Sequence, residues 1–369
     1  MSSFTDKFQF RNGLTLRNKV VMAPMTTWAG QDNGYLTDEE YAYYKARSTD
    51  VGLVITGTTY MQKSGKGFTG QYYAGSKDFL PQLEKLSQTI KSQGAKAILQ
   101  IFHAGRNSNS FLTNGADVIS ASAVAAERER AVIPREMSET EIGETIQSFA
   151  DVTQRAIEAG FDGVEIHGAN TYLIQQFFSP HSNRRNDQWG GNLNKRMRFP
   201  IEVTRAVANV AKTYASELFV VGYRISPEEY ENPGITLDDS LALSESLVDE
   251  GIDYLHLSLK HYGMHSQRVK GDNRIIGEEF KKILTNKIPL IGVGAIHTAS
   301  DLDNAFSLGY DLVSVGKALV YDPNWLSKIQ QGEERTTSLQ KNSMTQNVVP
   351  LKMYQALHEL KEPMQVNFE

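Results

Sequence analysis

The sequence predicts a (β/α)8 barrel, the TIM-barrel fold, preceded by a short β-hairpin. Eight apolar runs rich in β-branched residues alternate with eight longer stretches at helical spacing, which is typical of a closed parallel barrel. The length of 369 residues suits one large barrel, although two ordinary domains also fit it. A doubly wound sheet is the second choice, but its Gly-x-Gly-x-x-Gly fingerprint after the first strand is missing. We therefore expect a single domain over residues 1–369, with the barrel at about 18–331 and a tail at 332–369.

The hairpin is predicted from residues 8–16, where two short alternating apolar runs flank Asn12 and Gly13. An Asn-Gly pair favours a type I′ turn, because both central residues of that turn need positive φ. We expect this hairpin to open the fold.

The strands and helices of the barrel follow in order along the chain. The eight predicted strands are 19–23, 53–56, 97–102, 163–167, 219–225, 254–258, 290–292 and 312–315. The eight predicted helices are 37–48, 79–93, 139–159, 196–214, 238–250, 277–285, 299–308 and 324–331. Thr37 and Ser138 each precede a glutamate by three residues, which is the pattern of a capping box at a helix start. The tail is polar and then weakly helical over 349–360, and its pattern indicates no role.

Three connections, 105–138, 168–195 and 259–276, are long for a compact fold. They follow the third, fourth and sixth strands, so they belong to the same face of the barrel. Active sites of such barrels lie at that carboxyl-end face. We expect these long loops to be lids or pocket walls.

Composition excludes several kinds of chemistry. The chain has no cysteine, which removes disulfides, thiolate zinc sites, iron–sulfur clusters and cysteine nucleophiles. A net charge of −5 offers no cationic stripe, so nucleic acid is not an expected partner. Residues 1–19 lack the apolar core of a signal peptide, and no run of about 18 apolar residues occurs. We therefore expect a soluble, cytoplasmic protein without a membrane partner.

Polar residues stand where the predicted strands end. Thr26, Gln100 and Arg224 offer the donors and acceptors that suit the edge of a flat heterocycle. After the seventh and eighth strands come Gly294 and the pair Gly316-Lys317. Glycines there let backbone N–H groups approach an anion, and these two loops of a barrel often bind phosphate.

His167, Asn170 and Tyr172 cluster within six residues at the end of the fourth strand. Histidine and asparagine side chains can both donate hydrogen bonds to one carbonyl oxygen. A phenol can give a proton to a developing carbanion or enolate. The cluster therefore predicts a site that polarises an enone and protonates it.

In these segments the chain resembles the old yellow enzyme family of FMN-dependent ene-reductases, also called NADH:flavin oxidoreductases. The resemblance covers residues 4–331 and rests on motifs in family order: 18–26 (NKVVMAPMT), 100–106 (QIFHAGR), 167–172 (HGANTY), 178–191 (FSPHSNRRNDQWGG), Arg224 and 315–317 (VGK).

The resemblance implies a role for each candidate residue. It places FMN against Pro24, Thr26, Gly57, Gln100 and Arg224, with its phosphate held by Gly294, Gly316 and Lys317. Thr26 is expected near flavin O4, and Arg224 near N1 and O2, where a cation stabilises the reduced flavin. His167 and Asn170 are expected to bind the substrate carbonyl, Tyr172 to donate the proton, and Trp28 to form a pocket wall.

The implied reaction has two halves in one site. NADPH or NADH passes a hydride to flavin N5 and leaves, and N5 then delivers it to the β carbon of an activated alkene while Tyr172 protonates the α carbon. The partners implied are a small-molecule substrate and a nicotinamide dinucleotide.

Two other functions stay open. A metal-dependent barrel hydrolase could use His103, His167, His256 and Glu165. We interpret His103 and His256 instead as structural, or as supports behind the residues that contact the ligand, because no carboxylate pair stands at ligand spacing from them. A flavin-binding redox module could hold FMN without turning over an alkene. The sequence leaves open the physiological alkene, the choice between NADPH and NADH, and the oligomeric state, for which the tail helix offers one surface to a second copy.

Overall fold

The structure is a computed structural model and describes residues 3–360 and 366–368. Its strands, in chain order, are β1 (Phe8–Gln9), β2 (Thr15–Leu16), β3 (Val20–Met22), β4 (Leu53–Ile55), β5 (Thr59–Tyr60), β6 (Lys96–Phe102), β7 (Ile119–Ser120), β8 (Arg135–Glu136), β9 (Gly163–Gly168), β10 (Val220–Ile225), β11 (Tyr254–Leu257), β12 (Leu290–Val293) and β13 (Leu312–Val315). Its α-helices are α1 (Asp38–Arg47), α2 (Leu80–Lys91), α3 (Glu139–Glu158), α4 (Leu173–Phe178), α5 (Leu193–Tyr214), α6 (Leu237–Asp249), α7 (Ile276–Leu284), α8 (Ala299–Ser307), α9 (Lys317–Tyr321), α10 (Trp325–Gln331), α11 (Ser343–Gln346) and α12 (Leu351–Glu359).

Eight of these strands close into the predicted barrel. Neighbours run in the order β4, β3, β13, β12, β11, β10, β9 and β6, and β6 pairs with β4 to complete the ring. All of these pairings are parallel. The (β/α)8 architecture predicted from the alternation of apolar runs is therefore confirmed.

The predicted hairpin forms, but the type I′ turn is wrong. Gly13 has a φ of +95°, whereas Asn12 is not among the residues with positive φ. The Gly13 N–H donates to the Phe10 carbonyl at 3.0 Å, and the Phe10 N–H donates to the Leu14 carbonyl at 2.9 Å. This pattern is a turn followed by a glycine bulge. Asn12 instead uses its side chain, whose Nδ2 donates to the carbonyl of Phe219 at 3.0 Å and anchors the hairpin to the barrel.

The hairpin closes the amino end of the barrel. Its Phe10, Leu14 and Leu16 pack in one buried cluster with barrel residues such as Ile98 and Ile291. An apolar plug at this end leaves the carboxyl end as the open mouth.

All eight predicted helices are present, with bounds that differ by a few residues from those expected. The capping boxes at Thr37 and Ser138 are both formed. Two short helices, α4 and α9, occupy segments that we had expected to be loop. Both begin within a few residues of a strand end and span six and five residues, too short to leave a periodic apolar pattern. No helix among the described residues is both long and apolar enough to cross a bilayer.

The tail folds back onto the barrel. Arg47, fully buried on α1, donates to the carbonyls of Leu319 at 2.8 Å and Val320 at 3.1 Å on α9. The same guanidinium reaches the carbonyl of Asn347 in the tail at 2.9 Å. The predicted weak helix at 349–360 is α12, and its first backbone N–H, that of Leu351, donates to Glu39 at 3.1 Å.

Candidate active site at the carboxyl end of the barrel

A cavity of about 670 Å³ opens at the carboxyl ends of the barrel strands. It brings together eleven of the twelve residues predicted for the site: Pro24, Thr26, Trp28, Gln100, His167, Asn170, Tyr172, Arg224, Gly294, Gly316 and Lys317. Residues separated by almost 300 positions in sequence thus share one surface.

Gly57 is the exception, since it is not among the residues that line the cavity. Its N–H donates to the Tyr44 hydroxyl at 2.8 Å, and its carbonyl accepts from the Tyr72 hydroxyl at 2.6 Å. A Cβ at this position would lie 2.6 Å from the carbonyl oxygen of Met25. Gly57 therefore lets two loops approach closely, and its neighbour Thr58 lines the cavity.

The charge of the cavity wall is positive. Arg224, Lys260 and Lys317 line it, and no described lining residue is an aspartate or glutamate. Burial lowers the pKa of the Lys317 ammonium from its ordinary value. A wall of this charge favours a ligand that carries negative charge.

One side of the cavity carries buried polar atoms that lack protein partners. Gln100 Oε1, Arg224 Nε and Ser314 Oγ have no hydrogen-bond partner within the described part of the chain. Buried polar groups of this kind are normally satisfied, so they indicate where a polar ligand binds. One amide acceptor, one guanidinium donor and one hydroxyl fit the polar edge of a flavin pyrimidine ring.

Beneath these atoms, inside the barrel, lies a carboxylate that sequence reasoning placed only in a metal site. Glu165 Oε1 accepts from Gln100 Nε2 at 2.7 Å, and Glu165 Oε2 lies 2.9 Å from Nδ1 of His256. Burial raises the pKa of Glu165, but His256, Arg224 and Gln100 outweigh burial and hold that pKa below its ordinary value. Burial lowers the pKa of His256, so the neutral ring donates from Nδ1 to the carboxylate.

The cavity wall at the ends of β12 and β13 also presents backbone. Gly294 has a φ of +108°, and a Cβ there would lie 2.6 Å from the backbone nitrogen of His261. Only glycine fits this position. Near Gly316, in contrast, a Cβ would make only ordinary contacts, at 3.5 Å from Met25 and beyond. The backbone of these glycines lies open beside Lys317, and the phosphate site expected there stays a prediction.

The three residues at the end of β9 lie together. The rings of His167 and Tyr172 are 5.1 Å apart between centroids and nearly perpendicular, at 84°. Phe102 packs edge-on against Tyr172, with centroids 4.4 Å apart. Asn170 has a φ of +56° and joins its Nδ2 to the Ser258 hydroxyl at 3.0 Å.

The protonation states of this trio follow from their surroundings. Burial and the charge of Arg224 lower the pKa of His167 well below its ordinary value, so the ring is neutral. The Ala169 N–H donates to His167 Nδ1 at 3.3 Å, which leaves the hydrogen on Nε2. Burial raises the pKa of Tyr172 to about 12, so the phenol keeps its proton at neutral pH. The site therefore holds an imidazole N–H donor and a protonated phenol side by side.

Trp28 lines the cavity from a strained loop. Its φ is +53°, which is unusual for a bulky residue, and its ring meets Phe68 edge-on at 6.3 Å. The preceding residue, Thr27, donates a short hydrogen bond to the buried carboxyl of Glu40. The loop is thus held from below by α1.

Sequence reasoning missed the contribution of the tail. Four apolar residues of the described part of the tail line the cavity: Met353, Leu357, Leu360 and Val366. A helix pattern at 349–360 indicates an apolar face, but no local signal says which surface that face covers.

His103 and His256 are both buried and hydrogen-bonded to protein groups, and their interpretation as structural or supporting residues stays a prediction. His103 Nδ1 accepts from the Gly105 N–H at 3.0 Å, and burial lowers its pKa to about 3. No group of three or more His, Cys, Asp or Glu side chains within the described ranges is placed to hold a metal ion. The alternative of a metal-dependent hydrolase thus lacks a ligand set in this part of the chain.

Comparison with known proteins shows the family of the chain. Residues 6–336 match the NADH:flavin oxidoreductase / NADH oxidase family. The chain is 41% identical over 330 residues to the probable NADH-dependent flavin oxidoreductase YqiG of Bacillus subtilis (strain 168), covering 89% of this chain and 88% of that protein. It is 44% identical to the NADH:acrylate oxidoreductase of Vibrio harveyi, over 90% of this chain but only 34% of that longer protein.

Solved structures share the fold. Morphinone reductase in complex with tetrahydroNAD superposes with a TM-score of 0.77 at 25% identity, covering 91% of this chain and 92% of that one. The old yellow enzyme homologue from Zymomonas mobilis gives a TM-score of 0.80 at 24% identity, covering 92% and 95%. With its barrel, its positively charged cavity and these relatives, the chain belongs to the NADH:flavin oxidoreductase / NADH oxidase family, which is the old yellow enzyme family of FMN proteins.

Proposed function

We propose that this protein reduces activated carbon–carbon double bonds of α,β-unsaturated carbonyl compounds. The observation that carries the proposal is the pair of neighbouring groups, the Nε2–H of neutral His167 and the protonated phenol of Tyr172, on the cavity that also holds Gln100 and Arg224. One group suits a carbonyl oxygen, and the other suits the carbon that must be protonated.

The chain's own residues fit FMN. Gln100, Arg224 and Thr26 suit the pyrimidine side, and Gly294, Gly316 and Lys317 suit the phosphate. Pro24 supplies an apolar wall for the ring. When bound, FMN supplies hydride transfer from the nicotinamide to the β carbon of the alkene.

His167 and Asn170 are proposed to bind the substrate carbonyl. His167 donates from Nε2 because Nδ1 already accepts from the Ala169 N–H. Asn170 Nδ2 carries two hydrogens, of which the Ser258 hydroxyl takes one. Two donors on one carbonyl oxygen withdraw electrons from the conjugated double bond and stabilise the developing enolate.

Tyr172 is proposed to protonate the α carbon. Its raised pKa keeps the proton available at every pH below about 12. The charges of Arg128 and Arg224 oppose that rise, so they stabilise the phenolate left after transfer. Trp28 and Phe68 form the wall beside this position.

NADH is the reductant to test first. The relatives named above are both named for NADH, whereas proteins named NADPH dehydrogenase are 31–33% identical. The NADH:acrylate oxidoreductase is about three times as long as the matched segment, so its alkene is not carried over to this chain.

The proposal is tested by following the flavin absorbance in the absence of oxygen. Addition of NADH should bleach the oxidised flavin, and addition of 2-cyclohexenone should restore it with formation of cyclohexanone. A protein that is bleached by NADH but not restored by a panel of enones would contradict the proposed reaction.

A second candidate is an NADH-oxidising flavin module that passes its electrons to another acceptor. One observation favours it: in the NADH:acrylate oxidoreductase and in the NADH:fumarate oxidoreductase of Klebsiella pneumoniae (strain 342), the matched segment is only 34% and 36% of the protein. The same experiment separates the two, because the module predicts bleaching by NADH and return of the absorbance only with an artificial electron acceptor.

A further inference from the structure

Within the buried layer under the cavity, one amide has its orientation decided by its neighbours. Gln100 Nε2 donates to Glu165 Oε1 at 2.7 Å, and both residues are fully buried. An ionised carboxylate only accepts hydrogen bonds, so Gln100 must turn its NH2 group toward Glu165 and its oxygen away from Glu165. That oxygen, Oε1, has no hydrogen-bond partner among the described residues, and Gln100 lines the cavity.

The pyrimidine edge of oxidised flavin carries acceptors at N1, O2 and O4 and a single donor, N3–H. An amide oxygen that faces this edge can accept a hydrogen bond only from that donor. With the amide reversed, an NH2 group would face N3–H and that donor could form no hydrogen bond with Gln100.

The carboxylate is itself held in place. His256 Nδ1 lies 2.9 Å from Glu165 Oε2, and the imidazole is fully buried. Arg224 acts on Glu165 through its charge, and it is the cation expected beside flavin N1 and O2. Glu165 therefore also offsets part of the positive charge that faces the flavin.

We infer that Glu165, held by His256, is a positioning residue for FMN: it fixes Gln100 as an acceptor for flavin N3–H and moderates the charge of Arg224. This inference rests on the proposed function only because both take FMN to be the bound cofactor. Glu165 does not line the cavity and takes no part in proton or hydride transfer.

The test compares FMN with 3-methyl-FMN, which lacks the N3–H donor. The probe variant is Glu165→Gln, because a glutamine can donate as well as accept and so no longer dictates which way Gln100 turns. The matched control is Glu229→Gln. Glu229 is a buried carboxylate that also accepts from a glutamine, Gln175 Nε2 at 2.7 Å, and it does not line this cavity.

Wild-type apoprotein should bind FMN at least about tenfold more tightly than 3-methyl-FMN, the value of one hydrogen bond. Glu165→Gln should lose most of this preference and should shift the midpoint potential of bound FMN to more positive values, because reduction adds negative charge. Glu229→Gln should keep both properties. The inference would fail if Glu165→Gln weakened the binding of FMN and of 3-methyl-FMN equally and had the same midpoint potential as the control variant. Glu165 would then be merely structural.

Should Glu165→Gln not fold, Gln100→Met removes the acceptor while leaving Glu165 and His256 in place. It should lose the same preference for FMN, and retention of that preference would overturn the inference. The proposed reaction fails separately: a wild type that prefers FMN over 3-methyl-FMN but never reduces an enone contradicts alkene reduction and leaves Glu165 in its role.

Discussion

The two ends of the barrel are built from the same strands and differ in almost every other respect. At the amino end, Phe10, Leu14 and Leu16 form a buried apolar plug with barrel residues. At the carboxyl end, a cavity of about 670 Å³ is lined by Arg224, Lys260 and Lys317 and by polar atoms that have no partner among the described residues. The comparison indicates that stability and ligand binding are placed at opposite ends, so substitutions should separate them.

The largest expected effect lies at the carboxyl end and concerns catalysis alone. Tyr172→Phe should slow the reoxidation of the reduced protein by an enone by about 10²–10⁴-fold, the usual contribution of a general acid. Reduction by NADH needs no proton donor, so its rate should stay within about twofold of wild type. Stopped-flow absorbance of each half-reaction measures both rates, and equal losses in both would refute the role of Tyr172.

The complementary substitution lies in the plug. Leu14 is 2% exposed, and Leu14→Ala should lower the free energy of unfolding by about 3 kcal/mol, because it leaves a cavity in the apolar cluster. The dissociation constant of FMN should not change measurably. Urea unfolding and a fluorescence titration with FMN give the two numbers. A large loss of FMN affinity in this variant would show that the two ends are coupled.

The carboxyl that anchors Thr27, next to the cavity residue Trp28, should make the stability of the protein depend on pH. Burial raises the pKa of Glu40, the anchor of Thr27, from 4.5 to about 7. A carboxyl whose pKa is raised by folding stabilises the protein below its unfolded pKa, and this contribution is lost as pH rises through the folded pKa.

The free energy of unfolding of Glu40→Gln, relative to that of wild type, should therefore increase as the pH rises from 4.5 to about 7. Between pH 4 and pH 8 this difference should grow by about 3 kcal/mol. Glutamine still accepts the hydrogen bond from Thr27. Urea unfolding of both proteins across this pH range measures the difference, and a difference that does not vary with pH would mean that Glu40 titrates normally.

The smallest effect concerns one cation of the cavity. Lys317→Met should weaken FMN binding about tenfold, a typical loss for one partly exposed ion pair with a phosphate. Riboflavin binding should not change, because riboflavin has no phosphate. The ratio of the two dissociation constants is the measurement. Parallel weakening of both ligands would place Lys317 beside the ring instead of the phosphate.

Sequence predicted the barrel well because each strand is buried on both faces and each crossover is helical, which imposes a strong local pattern. The sequence predicted less where the conformation depends on contacts between residues that are far apart in the chain. Glu165 stands two residues before His167 on β9 and so faces the same interior, and a charge in the middle of a buried strand was a usable signal. From sequence, we assign Glu165 only to the alternative metal site.

The position of the tail on the barrel could not be predicted from local pattern, although its helix was. Its position depends on contacts such as that of Arg47 with Asn347, which join residues 300 positions apart. The turn at Asn12 failed for a related reason, since its side chain bonds to Phe219 across the barrel. In both cases a distant partner decides the local conformation.

The central claim is that one cavity at the carboxyl end carries hydride to the β carbon of an alkene and a proton to its α carbon. The most direct test uses NADH deuterated at its transferable C4 position, with 2-cyclohexenone in excess and in ordinary water. We predict cyclohexanone with one deuterium at the former β carbon and none at the α carbon. Deuterium at the α carbon, or reduction without deuterium at the β carbon, would contradict the account.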